Sequence, residues 1–262
     1  MTCVLRAEGV SVRYGGVQAL DDVSLEIAEG QLVGLIGPNG AGKTSFIDAI
    51  TGFTPATGGV QVDGIDISAL APDLRARRGL ARTWQSAELF DDLTVRENLA
   101  VTAGRPSLRR SLTELLTGRT ARDPVVDETL ALLDLAEVAD VAPDALSQGQ
   151  RKLVGVARAL AARPRVVCLD EPAAGLDTTE SRRLGRHLRQ IVDHGTAMLL
   201  VDHDMGLVLS VCDHVIVLDF GRVIASGPPG ALRRDPRVVE AYLGRAADVV
   251  TSAAPAAGSE AR

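Results

Sequence analysis

The first sixty residues are built from short stretches in which apolar and polar positions partly alternate. "VLRAEGVSVRY", "DVSLEIAEG" and "GGVQVDGIDI", punctuated by glycines, follow the pattern of antiparallel strands with one face in a core. Between them "QLVGLIG" is a compact apolar run that predicts a buried strand, and the spacing after it predicts a helix from Lys43 to Ile50. From about Leu89 to Ala162 the period changes. "TVRENLAV", "VVDETLALLDLAEVA" and "GQRKLVGVARALAA" place apolar residues three and four apart and predict helices. Beyond them strands and helices take turns: strand "RVVCLD", helix "TTESRRLGRHLRQIV", strand "AMLLVD", short helix "MGLVLSVC", strands "HVIVLD" and "VIASG". A single short terminal helix is expected within "PGALRRDPRVVEAYLG", and the Ala/Ser/Gly-rich tail of 245–262 is expected to be disordered. Strands alternating with helices imply an α/β fold whose mostly parallel sheet is covered on both faces.

Composition narrows the class without deciding it. The 262 residues carry a net charge of −6, which argues against a nucleic-acid partner, since such proteins usually present a basic face. No apolar run is long enough to cross a bilayer and no signal peptide is evident, so work at a membrane would require another chain. Cys3, Cys168 and Cys212 have no metal-ligand spacing, and a reducing cytosol fits them. Arginine supplies nearly all the positive charge, Lys43 and Lys152 being the only lysines. The Arg-rich 104–122 segment reads as a solvated face, or as a contact with lipid headgroups or a membrane partner.

The chemistry begins at Gly37-Pro38-Asn39-Gly40-Ala41-Gly42-Lys43-Thr44, with Ser45 adjoining, between the buried strand and the helix. Glycines let the backbone turn its N–H groups onto phosphate oxygens at the positive end of a helix. Lys43 adds a full charge at the β/γ-phosphates, and the Thr44 hydroxyl is a ligand for Mg²⁺. A P-loop nucleoside triphosphate site follows. The second element is "RVVCLDEPAAGLD", where Asp170 at a strand end suits a carboxylate that holds Mg²⁺ through water. Glu171 follows it in the place of a general base for the attacking water.

Together these motifs resemble the ATP-binding subunit of ABC transporters over about residues 4–244. The resemblance implies a P-loop NTPase core, an N-terminal antiparallel β subdomain and an inserted helical subdomain at about 86–162. It implies that Tyr14 stacks on adenine, that Gln85 reaches Mg²⁺ and reports to the membrane partner, and that His203 bonds the γ-phosphate. Trp84, beside Gln85, is expected simply to pack. "LSQGQ" (Leu146, Ser147, Gln148, Gly149, Gln150) stands where the signature motif acts on a partner's ATP, and "AAGLD" carries the D-loop Asp177. Gln148 replaces the expected glycine, which is tolerable because the donors here are the Ser147 hydroxyl and helix N–H groups.

The implied assembly is a head-to-tail dimer with a second ABC ATPase subunit, itself or a paralogue. It would sit peripherally on the cytoplasmic face of the membrane, on two integral permease subunits, with an extracytoplasmic substrate-binding protein acting indirectly. Leu89, Phe90 and Leu93 are candidates for the groove that receives a permease helix, or equally for core. "GLARTWQSAELFDDLTVRENL", "EPAAGLD", "LVDHDMGLVLSVCDHVIVLDFGRVIASGPP" and the ending "DPRVVEAYLG" resemble the ATPases of branched-chain amino acid importers, while Asp177 departs from their usual Asn and a lipopolysaccharide-export ATPase shares the "AYLG" type of ending. Urea or amide import, lipopolysaccharide-type export and a soluble non-transport ABC ATPase are the alternatives. A P-loop kinase or GTPase would have no use for "LSQGQ" or the switch histidine.

Overall fold

A computed structural model describes residues 2–84, 89–103 and 123–242. Strands β1 (Cys3–Tyr14), β2 (Val17–Ala28), β4 (Thr57–Val62) and β5 (Ile65–Asp66) form an antiparallel sheet in the order β2-β1-β4-β5. A second sheet holds β3 (Leu32–Ile36), β6 (Leu80–Arg82), β7 (Val166–Asp170), β8 (Ala197–Val201), β9 (His214–Asp219) and β10 (Arg222–Gly227). Its order is β10-β9-β3-β8-β7-β6, and all neighbours are parallel except β9 and β10.

Every residue of β3, β7 and β8 is buried, and successive side chains go to two different cores. Leu32, Ile36, Val167, Leu169, Met198 and Leu200 join the core shared with the helices α5 (Gln148–Ala161) and α6 (Thr178–Asp193). Val33, Leu35, Val166, Cys168, Leu199 and Val201 join the opposite core, with Phe46 and Ile50 of α1 (Lys43–Thr51) and the inner face of the antiparallel sheet. This period-2 split between two apolar layers is why the strands read as continuous hydrophobic runs. The helices α3 (Val95–Ala103), α4 (Pro124–Leu132) and α5 pack on one another. Asn98, buried within α3, donates to the carbonyls of Phe90, Leu93 and Thr94 and accepts from Phe90 N, which closes the loop ahead of the helix.

Three local expectations need correction. A short helix α2 (Pro72–Arg77) and strand β6 lie in a stretch whose pattern predicted neither. The helix over "VVDETLALLDLAEVA" stops at Leu132, because Asp134 adopts φ +54, and a separate 3-10 turn spans Ala136–Val138. The single terminal helix is two pieces, α8 (Pro229–Leu232) and a helical segment at 236–242, whereas α7 (Met205–Val211) is the short helix expected over "MGLVLSVC". Pro236 cannot continue the preceding hydrogen-bond ladder, so the chain restarts there. Trp84 packs as expected, edge to face on Phe53, but at the surface, where it is 45% exposed. The expectations for 104–122 and for the tail fall outside the described residues.

Burial pushes the Cys168 and Cys212 thiols up to about 12, so neither supplies thiolate near neutrality. Iodoacetamide at pH 8 is therefore expected to modify at most Cys3 in the native chain and all three cysteines after denaturation, read by peptide mass spectrometry. Native labelling of Cys168 would contradict the two-core arrangement.

Candidate active site

The parallel strands β3, β8, β7 and β6 lie side by side, so their C-terminal ends share one edge. Polar loops leave from that edge, the place where α/β sheets bind ligands. From β3 comes the phosphate loop. Gly37 has φ +154, and a Cβ there would lie 2.2 Å from the Leu218 carbonyl oxygen. Gly42, the residue before α1, has φ +106, and its Cβ would meet the Ala19 carbonyl at 2.7 Å. Both glycines are thus demanded by neighbouring backbone. Lys43 is buried and its Nζ donates to the carbonyls of Gly37 (2.7 Å) and Pro38 (3.1 Å), folding the ammonium under its own loop. Thr44 is exposed.

At the end of β7, Asp170 is buried beside Arg82, whose Nη2 donates to Asp170 Oδ2 at 2.9 Å. Burial pushes the Asp170 carboxyl above its ordinary value, while the Arg82 hydrogen bond and charge pull it back down. Glu171, the next residue, holds φ +48, a left-handed backbone unusual for a side chain of this size and characteristic of functional turns. Its N–H donates to the Val201 carbonyl (2.7 Å), which locks the turn against β8. From β8 come Asp202, fully buried and accepting from Ala173 N and Asp204 N, and His203, whose Nδ1 lies 3.9 Å from Glu171 Oε2. Asp202 therefore ties the loops after β7 and β8 together beneath the pair.

Lys43, Thr44, Ser45, Asn39, Gly40, Gly42 and Glu171 line one pocket of about 380 Å³. A pocket in which a helix N-terminus, a lysine and a hydroxyl meet a carboxylate suits a phosphate chain with its metal ion. Pro38 and Ala41 are buried beneath the loop. Val17, Gln18, Ala19, Phe220 and Gly221 complete the lining and escaped the sequence reading. Phe220 is 75% exposed at φ +43, and no periodic pattern flags a single aromatic in a two-residue turn. Tyr14 is exposed at the end of β1, with its hydroxyl 3.2 Å from Thr54 Oγ1, and it is not among the residues lining this pocket. Gln85 lies outside the described residues.

Leu146 to Gln150 do not line that pocket either. Ser147 caps α5: its Oγ accepts from Gln150 N (3.2 Å), and Gln150 Oε1 accepts from Ser147 N (2.9 Å), a reciprocal capping box. Asp177 caps α6 in the same way through Thr179 N and Glu180 N. Asp and Asn serve equally as such caps, so the Asp found here keeps this local function. The two capped ends touch. A Cβ on Gly175 would lie 2.4 Å from Gln148 Nε2, and one on Gly149 would lie 2.9 Å from Glu180 Oε1. Gln148 thus has its own contact, against the loop leading to Asp177.

With this geometry in place, the family model described as ABC transporter matches residues 20–174. The chain belongs to the ABC transporter ATPase family. A second model, Branched-chain amino acid ATP-binding cassette transporter, matches residues 222–248 of this ABC ATPase. The high-affinity branched-chain amino acid transport ATP-binding protein BraF of Pseudomonas aeruginosa is 37% identical over 258 residues, covering 93% of this chain and 98% of its own. LivG of Escherichia coli, with the same description, is 35% identical over 251 residues and 93% and 98% of the two chains. The lipopolysaccharide export ATP-binding protein LptB of Escherichia coli is also 35% identical, over 242 residues and 92% and 97%. Among solved structures, an ABC-transporter cassette in its ADP conformation superposes with TM-score 0.81 at 31% identity, covering 93% of this chain and 100% of that one. A dimeric cassette in a post-hydrolysis state with ADP and Pi gives TM-score 0.70 at 26% identity over 86% and 98%.

The ABC ATPase's phosphate loop offers a matched pair of glycine tests. Gly42→Ala adds a left-handed penalty of about 1–2 kcal/mol to a collision with fixed backbone, and should weaken ATP binding by at least about tenfold. Gly59→Ala, in open space, should leave binding and melting temperature unchanged. Equilibrium binding and thermal melting of the two variants read the difference; equal behaviour would mean that the loop is not held as described.

Proposed function

We propose that this ABC ATPase binds Mg-ATP in the Lys43 pocket and powers an importer for branched-chain amino acids or related amides. The observation that carries the site is the convergence of Lys43, Thr44 and Glu171 on one pocket at the ends of β3 and β7. Lys43 and the loop N–H groups of 37–44 would hold the β- and γ-phosphates, and Thr44 and Asp170 would hold Mg²⁺, with Gln85 completing the set. The ion supplies neutralisation of phosphate charge when bound. Glu171 orients and deprotonates the attacking water, and His203, within 4 Å of it, bonds the γ-phosphate. The exposed Tyr14 ring keeps a face for adenine while its hydroxyl holds Thr54. The family resemblance favours that role.

The signature residues lie outside the Lys43 pocket, which supports a head-to-tail dimer in which the Ser147 end of α5 completes the site of a second ATPase subunit. The capping hydroxyl uses its lone pair within the chain and keeps its proton for a γ-phosphate oxygen. A groove of about 460 Å³ on the helical side, lined by Trp84, Leu89, Phe90 and Val101, fits a short cytoplasmic helix of a permease subunit. Leu93 is not among its lining residues. No helix among the described residues is long and apolar enough to cross a membrane, in keeping with a peripheral subunit. The substrate reading rests on the match at 222–248 and on BraF and LivG; the LptB relative favours lipopolysaccharide-type export as the second reading.

Glu171→Gln should bind ATP without turnover and accumulate a closed dimer, visible as an ATP-dependent mass shift in gel filtration. Normal turnover would remove Glu171 from the role of base. Lys43→Ala should abolish hydrolysis in the assembled transporter. Deletion of the gene should reduce uptake of labelled leucine, isoleucine and valine or of short amides. Unchanged uptake with a defective outer surface would favour export.

A further inference from the structure

Arg82 ends β6, and its buried guanidinium stands between two features of different kinds. On one side Nη1 donates to Asp48 Oδ1 at 2.5 Å and Nη2 to Asp170 Oδ2 at 2.9 Å. Asp48 belongs to α1, the helix that starts at the phosphate loop, so one side chain ties that helix to the end of β7. On the other side the guanidinium carbon lies 4.4 Å from the Trp84 ring centroid and 5.8 Å from that of Phe53. The two rings meet edge to face at 5.0 Å. Both are exposed, and Trp84 lines the groove beside α3 and α5. Thr83 fastens the intervening backbone: its N–H donates to the Cys168 carbonyl, and its Oγ1 accepts from Asp170 N.

We propose that Arg82 is a positioning residue that relays engagement of Asp170 to the groove through Trp84. A guanidinium offers two donor edges and a flat face at once, so its plane over the indole is fixed by the same bonds that hold the carboxylates. Asp170 cannot give its full negative charge both to Arg82 and to a cation. When the carboxylate turns to a cation, the Arg82 bond to it weakens, Asp48 becomes the dominant anchor, and the guanidinium plane re-seats. Trp84 is free to follow because it is stacked on Arg82 and not wedged in the core. The proposal rests on the reading of Asp170 as metal-associated.

The chain contains a single tryptophan, so its emission reports Trp84 alone. The test records emission of the full chain saturated with a non-hydrolysable ATP analogue, before and after Mg²⁺, beside equilibrium binding of the same analogue. Wild type is expected to change emission on Mg²⁺ addition. Arg82→Met should lose the change, and Arg82→Lys, which keeps the charge but not the face, should bind the analogue within about threefold of wild type while the change falls at least about fivefold. A wild-type-sized response in either variant overturns the relay, as does a silent Trp84 in wild type with nucleotide bound. Asp170→Asn separates the two readings. If it leaves the Mg²⁺ dependence of binding untouched, the metal reading fails and the relay with it. If it abolishes that dependence while Arg82→Lys responds normally, only the relay fails.

Discussion

Everything in this molecule follows from strands that are buried on both faces. In β3, β7 and β8 every apolar side chain belongs to one of two cores, so a polar side chain within their length would carry a heavy desolvation cost. Polar chemistry is expelled to the strand ends, and parallel pairing collects those ends on one edge. The phosphate loop, Asp170 with Glu171, and Asp202 with His203 are consecutive along that edge because β3, β8 and β7 are consecutive in the sheet. Helix N-termini then do double duty. Ser147 and Asp177 cap α5 and α6, whereas α1 starts at Gly42 without a side-chain cap, and a helix start of that kind suits an anion.

The motifs that read as chemical are therefore also folding devices. Ser147 and Asp177 each close a capping box before they can touch any nucleotide. The fully buried Asp202 accepts from the N–H groups of Ala173 and Asp204, and in doing so fixes the distance between the turns that carry Glu171 and His203. Glu171 itself sits in a strained backbone region that is held by its bond to Val201. Strain of this kind persists only where surrounding contacts over-determine it, and here the neighbouring strand supplies them.

The legible parts of the sequence were those with a long period or a dense motif. The buried strands, the helix from Lys43 and the phosphate loop each commit many residues to one pattern. The illegible parts were short or depended on a distant partner. β6 has three residues, too few to alternate visibly, although Pro72 followed by Asp73 was a legitimate start signal for α2. Trp84 was expected simply to pack, and it does so on Phe53 and Arg82, the latter held by carboxylates 34 and 88 positions distant. No local window contains that information. Gln148 belongs to the same class, since its contact at Gly175 appears only once α5 and the turn before α6 are brought together.

Arg82 also settles an energetic question at the edge. One guanidinium shared by Asp48 and Asp170 leaves the trio formally one negative charge in excess, with Arg82 and Asp170 buried and Asp48 partly exposed. Buried ion pairs seldom gain stability over apolar packing, because desolvation consumes what the pairing returns. An apolar replacement for Arg82 would abandon two carboxylates and cost far more, so the arrangement is retained for what it positions. Burial alone would drive Asp170 toward its neutral form; the hydrogen bond and charge of Arg82 oppose that. A carboxylate poised this way favours any cation that arrives beside it. The charge excess is a local property of three residues, Asp48, Arg82 and Asp170, that no single motif contains.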